Sequence, residues 1–554
     1  MPVAVVTIRR VPGPTRPSIN ANRASPLHLL DETLPAAAPV GPLERGNRST
    51  VVAARPARYP AAVRERLRSL TGSGGLLLAL ALVAMLPLLV RRGGDADFFA
   101  HLRTAQAIAD MRGLPGHELY TYTASSATWV DHEYGSELLL FGLPNLIAGK
   151  AGVSIAYGLV LIAGFLLILA RMRLQPAPAV VAALALLLGA AVGVAVWGPR
   201  AQMITFTFTC LTLYWVELFI VRRSRAIYAL PAVVLVWANL HAGFIFGLFI
   251  MLLAAGCELA LGLVNRKERE HFHAARVLTL VLGASAVAAL VNPYGPALYG
   301  YIWRTESSKA LPQFVTEWLS PNFHHLNALP FELAILLLIA GLALRRPRLH
   351  QLVLALATLG LALQAVRHIA IFDAAATPVI AWSWGQAWRR YEVDRRVTRW
   401  LGPLARDLRT ITAVGLVAAV IGVAAFIADA LSKQDSATAA NFPVAASDWL
   451  ASHPQVGTRM FDEDGWNGYL SFRFYPQQNR RVFILSDPTL VGDRLMNDYL
   501  DVTLLRPDWQ DVLSRHGVDY VVYEPDTALG SALDVDSSWK RVYTDSLAAI
   551  WVRV

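Results

Sequence analysis

Charge is scarce in this chain. Only 16% of its 554 residues are Asp, Glu, Lys or Arg, against 55% hydrophobic. A soluble domain carries about a quarter charged residues, so a wholly soluble chain is excluded. Cysteine is scarcer still. Cys210 and Cys257 are the only two, and both fall inside apolar runs. There they read as packing residues, not as a disulfide or a metal site. No internal repeat occurs, and no low-complexity tract lies beyond the N-terminal arm, which excludes repeat architectures. EF-hand spacing is also missing around Asp462, Glu463 and Asp464, which read as a solvated acidic turn.

What the chain has instead is a series of long apolar runs between Gly74 and Ala430. They predict an α-helical polytopic membrane protein with about eleven transmembrane helices. The spans fall near 74–90, 153–170, 177–197, 201–221, 226–238, 243–264, 276–291, 329–344, 351–366, 368–384 and 411–430. Residues 1–70 carry 11 Arg against 4 acidic residues and have little periodicity, which predicts a disordered basic arm. The run Leu76–Val90 reads as an uncleaved first span, because the arm before it is too long for a signal peptide.

Basic clusters set the orientation. Arg171/Arg173, Arg222/Arg223/Arg225, Arg266/Lys267/Arg269, Arg345/Arg346/Arg348 and the Arg389–Arg409 segment fall on the same side as the N-terminus. By the positive-inside rule that side is cytoplasmic. The net charge of +10 is therefore a topology signal, and nucleic acid is not expected as a partner. Residues 431–554, with 17 acidic and 11 basic residues, fall outside. Their mixed helical and strand patterns predict a soluble extracytoplasmic α/β domain, with strand candidates Arg481–Leu485, Tyr520–Glu524 and Ala548–Val552.

The same topology gathers the polar clusters on the outer face. The first outer loop, 91–150, holds Asp95, Asp97, His101, Asp131, His132 and Glu133. Later outer turns hold Arg200, His241, Glu317, Trp318 and Arg367. A transporter more often places polar groups at mid-membrane on broken helices. Clustering on one side favours chemistry at the outer interface.

Asp95 and Asp97 precede a helical pattern, Phe98–Met111. Either could cap that helix, and either could act as a general base. His101 lies one turn after Asp97 on the same helix face. His132 could contact phosphate, and Glu133 could hold a sugar hydroxyl; the two could also simply fix the loop. Asp97, His101, His132 and Glu133 are metal-ligand types, so a divalent metal is a possible cofactor, but their spacing matches no metal signature. Arg200 and Arg367 suit phosphate, or snorkelling to lipid headgroups. His241 is an ionisable group at span ends, and Trp318 could stack on a sugar or anchor at the interface.

Together these pieces resemble the GT-C superfamily of membrane glycosyltransferases. They are Asp95-Ala96-Asp97, His101-Leu102-Arg103-Thr104, Tyr122-Thr123, Trp129, His132-Glu133, Pro199-Arg200-Ala201-Gln202, Asn239-Leu240-His241-Ala242-Gly243, Asn292-Pro293-Tyr294-Gly295 and Glu317-Trp318. In the tail, Gly465-Trp466-Asn467-Gly468-Tyr469-Leu470 and Val482-Phe483-Ile484-Leu485-Ser486-Asp487 extend the resemblance. It implies a bacterial inner-membrane enzyme with a polyprenyl-phosphate-linked sugar as donor. It also implies a glycan, lipid or protein acceptor, inversion at the sugar, and Asp97 as catalytic base with Asp95 next. Phe98-Phe99 stand where tryptophans are expected, and Leu485-Ser486-Asp487 where Asp-Gly-Arg is expected. The competing reading is a non-enzymatic transporter or scaffold for lipid-linked envelope glycans, for which Asp373 inside a span is the best support.

Overall fold

The computed structural model describes residues 73–90, 96–194, 196–402, 404–485 and 487–554. The basic arm 1–70 and Asp95 lie outside the described residues.

Every apolar run of the sequence falls on a helix. These are Ser73–Met85, Leu143–Met172, Ala179–Val192, Gln202–Arg222, Leu230–Ala238, Phe244–Val264, Arg269–Ala288, Leu329–Leu344, Leu349–Gln364, Ile369–Arg390 and Leu404–Ser432. Helices satisfy every backbone N–H and C=O internally, which lipid cannot do. Among the described residues six helices are long and apolar enough to cross a membrane. They are Tyr134–Met172, Gln202–Arg222, Phe244–Val264, Arg269–Ala288, Leu326–Leu344 and Asp407–Ser432. Gly74–Met85, Ala179–Val192, Arg225–Ala238 and Leu349–Gln364 are apolar but shorter. The chain is thus a polytopic membrane protein with six candidate spans by length and composition, fewer than the eleven read from hydropathy.

Ile369–Arg390 is the most enclosed of these helices, with an unbroken buried stretch from Ile369 to Ala381. Inside the bundle Glu217 accepts from His350 at 2.9 Å, Gln351 at 3.1 Å and Gln175 at 3.1 Å, with Arg171 at 3.8 Å. Asp373 accepts from Thr377 one turn along its own helix.

The tail forms a four-stranded sheet. Its strands are β1 (Met460–Asp462), β2 (Tyr520–Tyr523), β3 (Trp539–Thr544) and β4 (Ala549–Arg553), in the order β1-β2-β4-β3. The β1–β2 pair is parallel, and the other two are antiparallel. The Arg481–Leu485 run is not a strand of this sheet. It makes single bridges, Arg481 with Arg459 and Val482 with Thr121. Its backbone is used to dock on the outer loop: Val482 N donates to Tyr120 O at 3.1 Å, and Thr123 Oγ1 donates to Phe483 O at 2.5 Å.

Aromatic packing completes this docking. Phe99 sits among Phe442 (5.0 Å between ring centroids), Tyr469 (5.0 Å) and Phe472 (5.4 Å). Beside them Gly468 lies against the start of the Phe98–Met111 helix. A Cβ there would stand 2.9 Å from Ala96 O and 3.0 Å from Ala100 N. Both are backbone atoms, so one chain would have to move. Gly468→Ala is expected to cost about 1–3 kcal/mol. A lowered apparent Tm and faster proteolysis of the tail would report it.

Candidate active site

The outer loop is folded by its own polar residues. Glu118 accepts from Tyr120 N at 2.6 Å, Thr121 N at 2.7 Å and Thr121 Oγ1 at 2.6 Å, which fixes the turn before Tyr120. Asp97 occupies the N-cap position of the Phe98–Met111 helix, yet its side chain makes no capping bond there. The capping reading therefore does not hold for Asp97. Its neighbour one turn on, His101, faces two carboxylates: Nδ1 is 3.0 Å from Glu137 Oε1, and Nε2 is 3.2 Å from Glu133 Oε2.

Glu133 is the hub of this arrangement. Besides His101, it meets His132 Nε2 at 3.1 Å and His241 Nε2 at 3.1 Å, both on Oε1. Burial alone would raise its carboxyl. The charges of His101 and His132, with hydrogen bonds from His132 and His241, outweigh burial and hold it well below the usual carboxylate range. Burial would lower His132, but the Glu133 charge and hydrogen bond raise it instead. For His241 burial wins, and its imidazole is held below its ordinary value. Asp131 is buried beside Glu137. Burial first, and the Glu137 charge second, push it well above the usual carboxylate range.

The tautomer of His241 follows from its surroundings. Gly243 N–H lies 2.8 Å from Nδ1, and a backbone N–H can only donate. Trp237 Nε1 donates to Thr205 Oγ1 at 3.1 Å, and that oxygen lies 2.8 Å from the same Nδ1. Nδ1 is thus an acceptor, and the ring proton is on Nε2, facing Glu133. This bears on metal binding. His132, Glu133 and His241 place ligand atoms within 4.8 Å of one another, and histidine with carboxylate is a donor set that could hold a metal such as zinc. A metal at that point needs His241 Nε2 bare, however, and so needs the Gly243 bond undone. In the arrangement seen, the group clamps Glu133 by hydrogen bonds, and a metal there would require His241 to change tautomer. The sequence had grouped Asp97 and His101 with His132 and Glu133; His241 takes their place.

Across the cavity, Arg200 Nη1 meets Glu317 Oε2 at 2.5 Å. The Arg367 guanidinium lies over the Trp318 ring, 4.3 Å from its centroid. His132 stacks on Tyr301 at 4.3 Å. Asp97, His101, His132, Glu133, Arg200, His241, Glu317, Trp318 and Arg367 all line one cavity of about 620 Å³. The structure therefore brings these nine sequence candidates together in one place.

It also adds residues. Glu137 lines the cavity but sits in an apolar run, which hid it; its spacing of four from Glu133, on one helical face, was the available signal. Glu463, Asp464 and Asp487 come from the tail and line the same cavity. The acidic turn is only partly solvated, contrary to the sequence reading: Glu463 and Asp464 are half-buried and Asp462 is buried. Asp462, the last residue of β1, is fully buried and accepts from Phe483 N at 2.9 Å. Burial, then the neighbouring Asp464 and Glu524 charges, push Glu463 up to about 7. A carboxyl raised on folding stabilises the fold at low pH, and that contribution is lost as pH rises from about 4.5 through 7. Glu463→Gln is expected to be more stable than wild type at pH 8, by on the order of 1–3 kcal/mol. The gap should close as pH falls towards 5, and thermal unfolding across that range would measure it.

Among the solved structures similar to this chain in fold are two proteins. One is ArnT from Cupriavidus metallidurans in the apo state, at 16% identity and a TM-score of 0.47, covering 89% of this chain and 99% of that one. The other is the archaeal oligosaccharyltransferase AglB from Archaeoglobus fulgidus, in complex with an inhibitory peptide and a dolichol-phosphate. It is 12% identical with a TM-score of 0.46, covering 81% of this chain and 69% of that one. No family model and no curated protein matches the chain. Likeness at these values carries no functional weight, which rests on the residues of the cavity.

Proposed function

We propose that this chain is a membrane glycosyltransferase of the GT-C type. It moves a sugar from a polyprenyl-phosphate donor to an envelope glycan, lipid or protein acceptor, with inversion, at the outer face of the bacterial cytoplasmic membrane. The basic arm lies in the cytoplasm and the 431–554 domain outside. The observation that carries this reading is the cavity itself: a carboxylate, two arginines and a histidine cluster meet where membrane helices, outer loop and tail converge.

In this reading Asp97 takes the proton from the acceptor hydroxyl. The hydroxyl oxygen bonds to the anomeric carbon from the face opposite the phosphate, and the bond from that carbon to the phosphate oxygen breaks. The electron pair leaves on the polyprenyl phosphate, whose charge Arg200 and Arg367 stabilise. His132 and Glu133 organise the floor, and Trp318 offers a face to sugar. Asp95 stands as the second candidate for the base.

The test is mass spectrometry of envelope glycans and lipid-linked sugars. It compares a strain lacking the protein with strains carrying wild type or Asp97→Asn. Loss of one sugar, with accumulation of its polyprenyl-phosphate donor, restored by wild type alone, supports transfer. Restoration by Asp97→Asn would instead point to transport or scaffolding.

A further inference from the structure

Both cavity arginines are engaged by the same two adjacent residues. Glu317 holds Arg200 and Trp318 covers Arg367. These residues belong to a short 3-10 turn, Thr316–Trp318, in the strap between the Ala297–Ser307 and Leu329–Leu344 helices. The strap is pinned at both ends. On one side Ser308 Oγ donates to Asp493 Oδ1 at 2.6 Å and Lys309 N donates to Asp493 Oδ2 at 3.1 Å, while Ala310 and Leu311 are buried in the tail's core. On the other, Val366 N donates to Leu319 O at 3.0 Å, one residue before Arg367.

This pinning matters for what the turn can do. With its backbone anchored to the tail and to the Arg367 hairpin, the strap need not swing away. The Glu317 side chain is a quarter exposed and can rotate into the cavity without breaking either anchor. A carboxylate on an arginine fork is also the closest side-chain counterpart of a phosphate on that fork. A partly exposed pair of this kind is weak enough to exchange.

We propose that Glu317 is an internal stand-in for a phosphate group. It holds Arg200 in place until an anionic phosphate ester displaces it, while Trp318 keeps Arg367 beside the same subsite. The proposal deepens the transferase reading and rests on it for the chemical class of the ligand. It makes Glu317 a competitor of the substrate. It also makes Glu317 a determinant of specificity, since a neutral headgroup cannot repay Arg200 for the lost carboxylate.

The experiment measures binding to the full-length protein in lipid nanodiscs by calorimetry, with farnesyl phosphate and inorganic phosphate as separate probes. Glu317→Gln should tighten farnesyl phosphate binding about two- to fivefold, the range a partly exposed ion pair supplies. In an Arg200→Gln background the same change should have no effect, which a merely structural role for Glu317 would not produce. If inorganic phosphate gains the same factor, the subsite reads the free phosphate group; if only farnesyl phosphate gains, it reads a lipid phosphate. Unchanged or weaker binding by Glu317→Gln, with thermal stability like wild type, overturns the proposal. No sugar moves in this assay. Tightening by Glu317→Gln beside a fully active Asp97→Asn would keep the phosphate subsite and remove the base assignment.

Discussion

Asp97→Asn is expected to abolish sugar transfer while the protein still accumulates in the membrane. This result is expected because Asp97 lines the cavity and the amide is close in shape to the carboxylate. Its side chain lines the cavity but makes no capping bond to the helix it begins. Replacing the carboxylate by an amide keeps the shape and removes the capacity to accept a proton. A positioned base contributes about 10²- to 10⁴-fold. The transfer rate should fall by that factor, and the apparent Tm should stay near wild type. The paired readout is donor accumulation in the envelope and thermal unfolding of the purified protein. A large drop in Tm would assign Asp97 to folding instead.

Glu133→Ala has the largest expected effect on stability. The carboxylate is buried, and His101, His132 and His241 all converge on it. Its removal leaves three imidazoles, one of them buried, without their common acceptor. Breaking a buried ionic network from one side costs about 3–5 kcal/mol. Glu133→Gln should be milder, about 1–3 kcal/mol, because the histidines differ in freedom. His101 has Glu137 on its other nitrogen and can change which nitrogen carries the proton. His241 cannot, since Gly243 N–H fixes its Nδ1 as an acceptor. The amide oxygen should therefore stay towards His241 and the amide nitrogen turn to His101. Thermal unfolding ranks the variants, and ¹⁵N spectra of labelled histidines would show His241 unchanged and His101 altered in Glu133→Gln.

The local parts of this site were legible in the sequence for definite reasons. Asp97, His101, His132 and Glu133 stand out because charge is rare in the chain and this loop concentrates it. Arg200, His241 and Arg367 stand out because they interrupt apolar runs at their ends. Glu137 was hidden by the apolar residues that follow it. The tail carboxylates were misjudged because an acidic turn reads as solvated until something is known to cover it. Asp462 is covered by contacts with residues far away in the chain, and no local pattern reports such a contact.

The sequence by itself determined that this is a membrane protein, where its helices run, and which scarce polar residues have no reason to be there except chemistry or packing. Hydropathy and helical spacing are local properties, so a linear reading recovers them. Only the tertiary structure decided that these residues meet in one cavity, that the tail lines part of it, and that Glu133 is clamped by three imidazoles. It also decided that Glu317 and Trp318 already engage the two arginines. Each of those facts depends on side chains tens to hundreds of residues apart, brought together by the packing of helices and by the close approach of Gly468 to the outer loop.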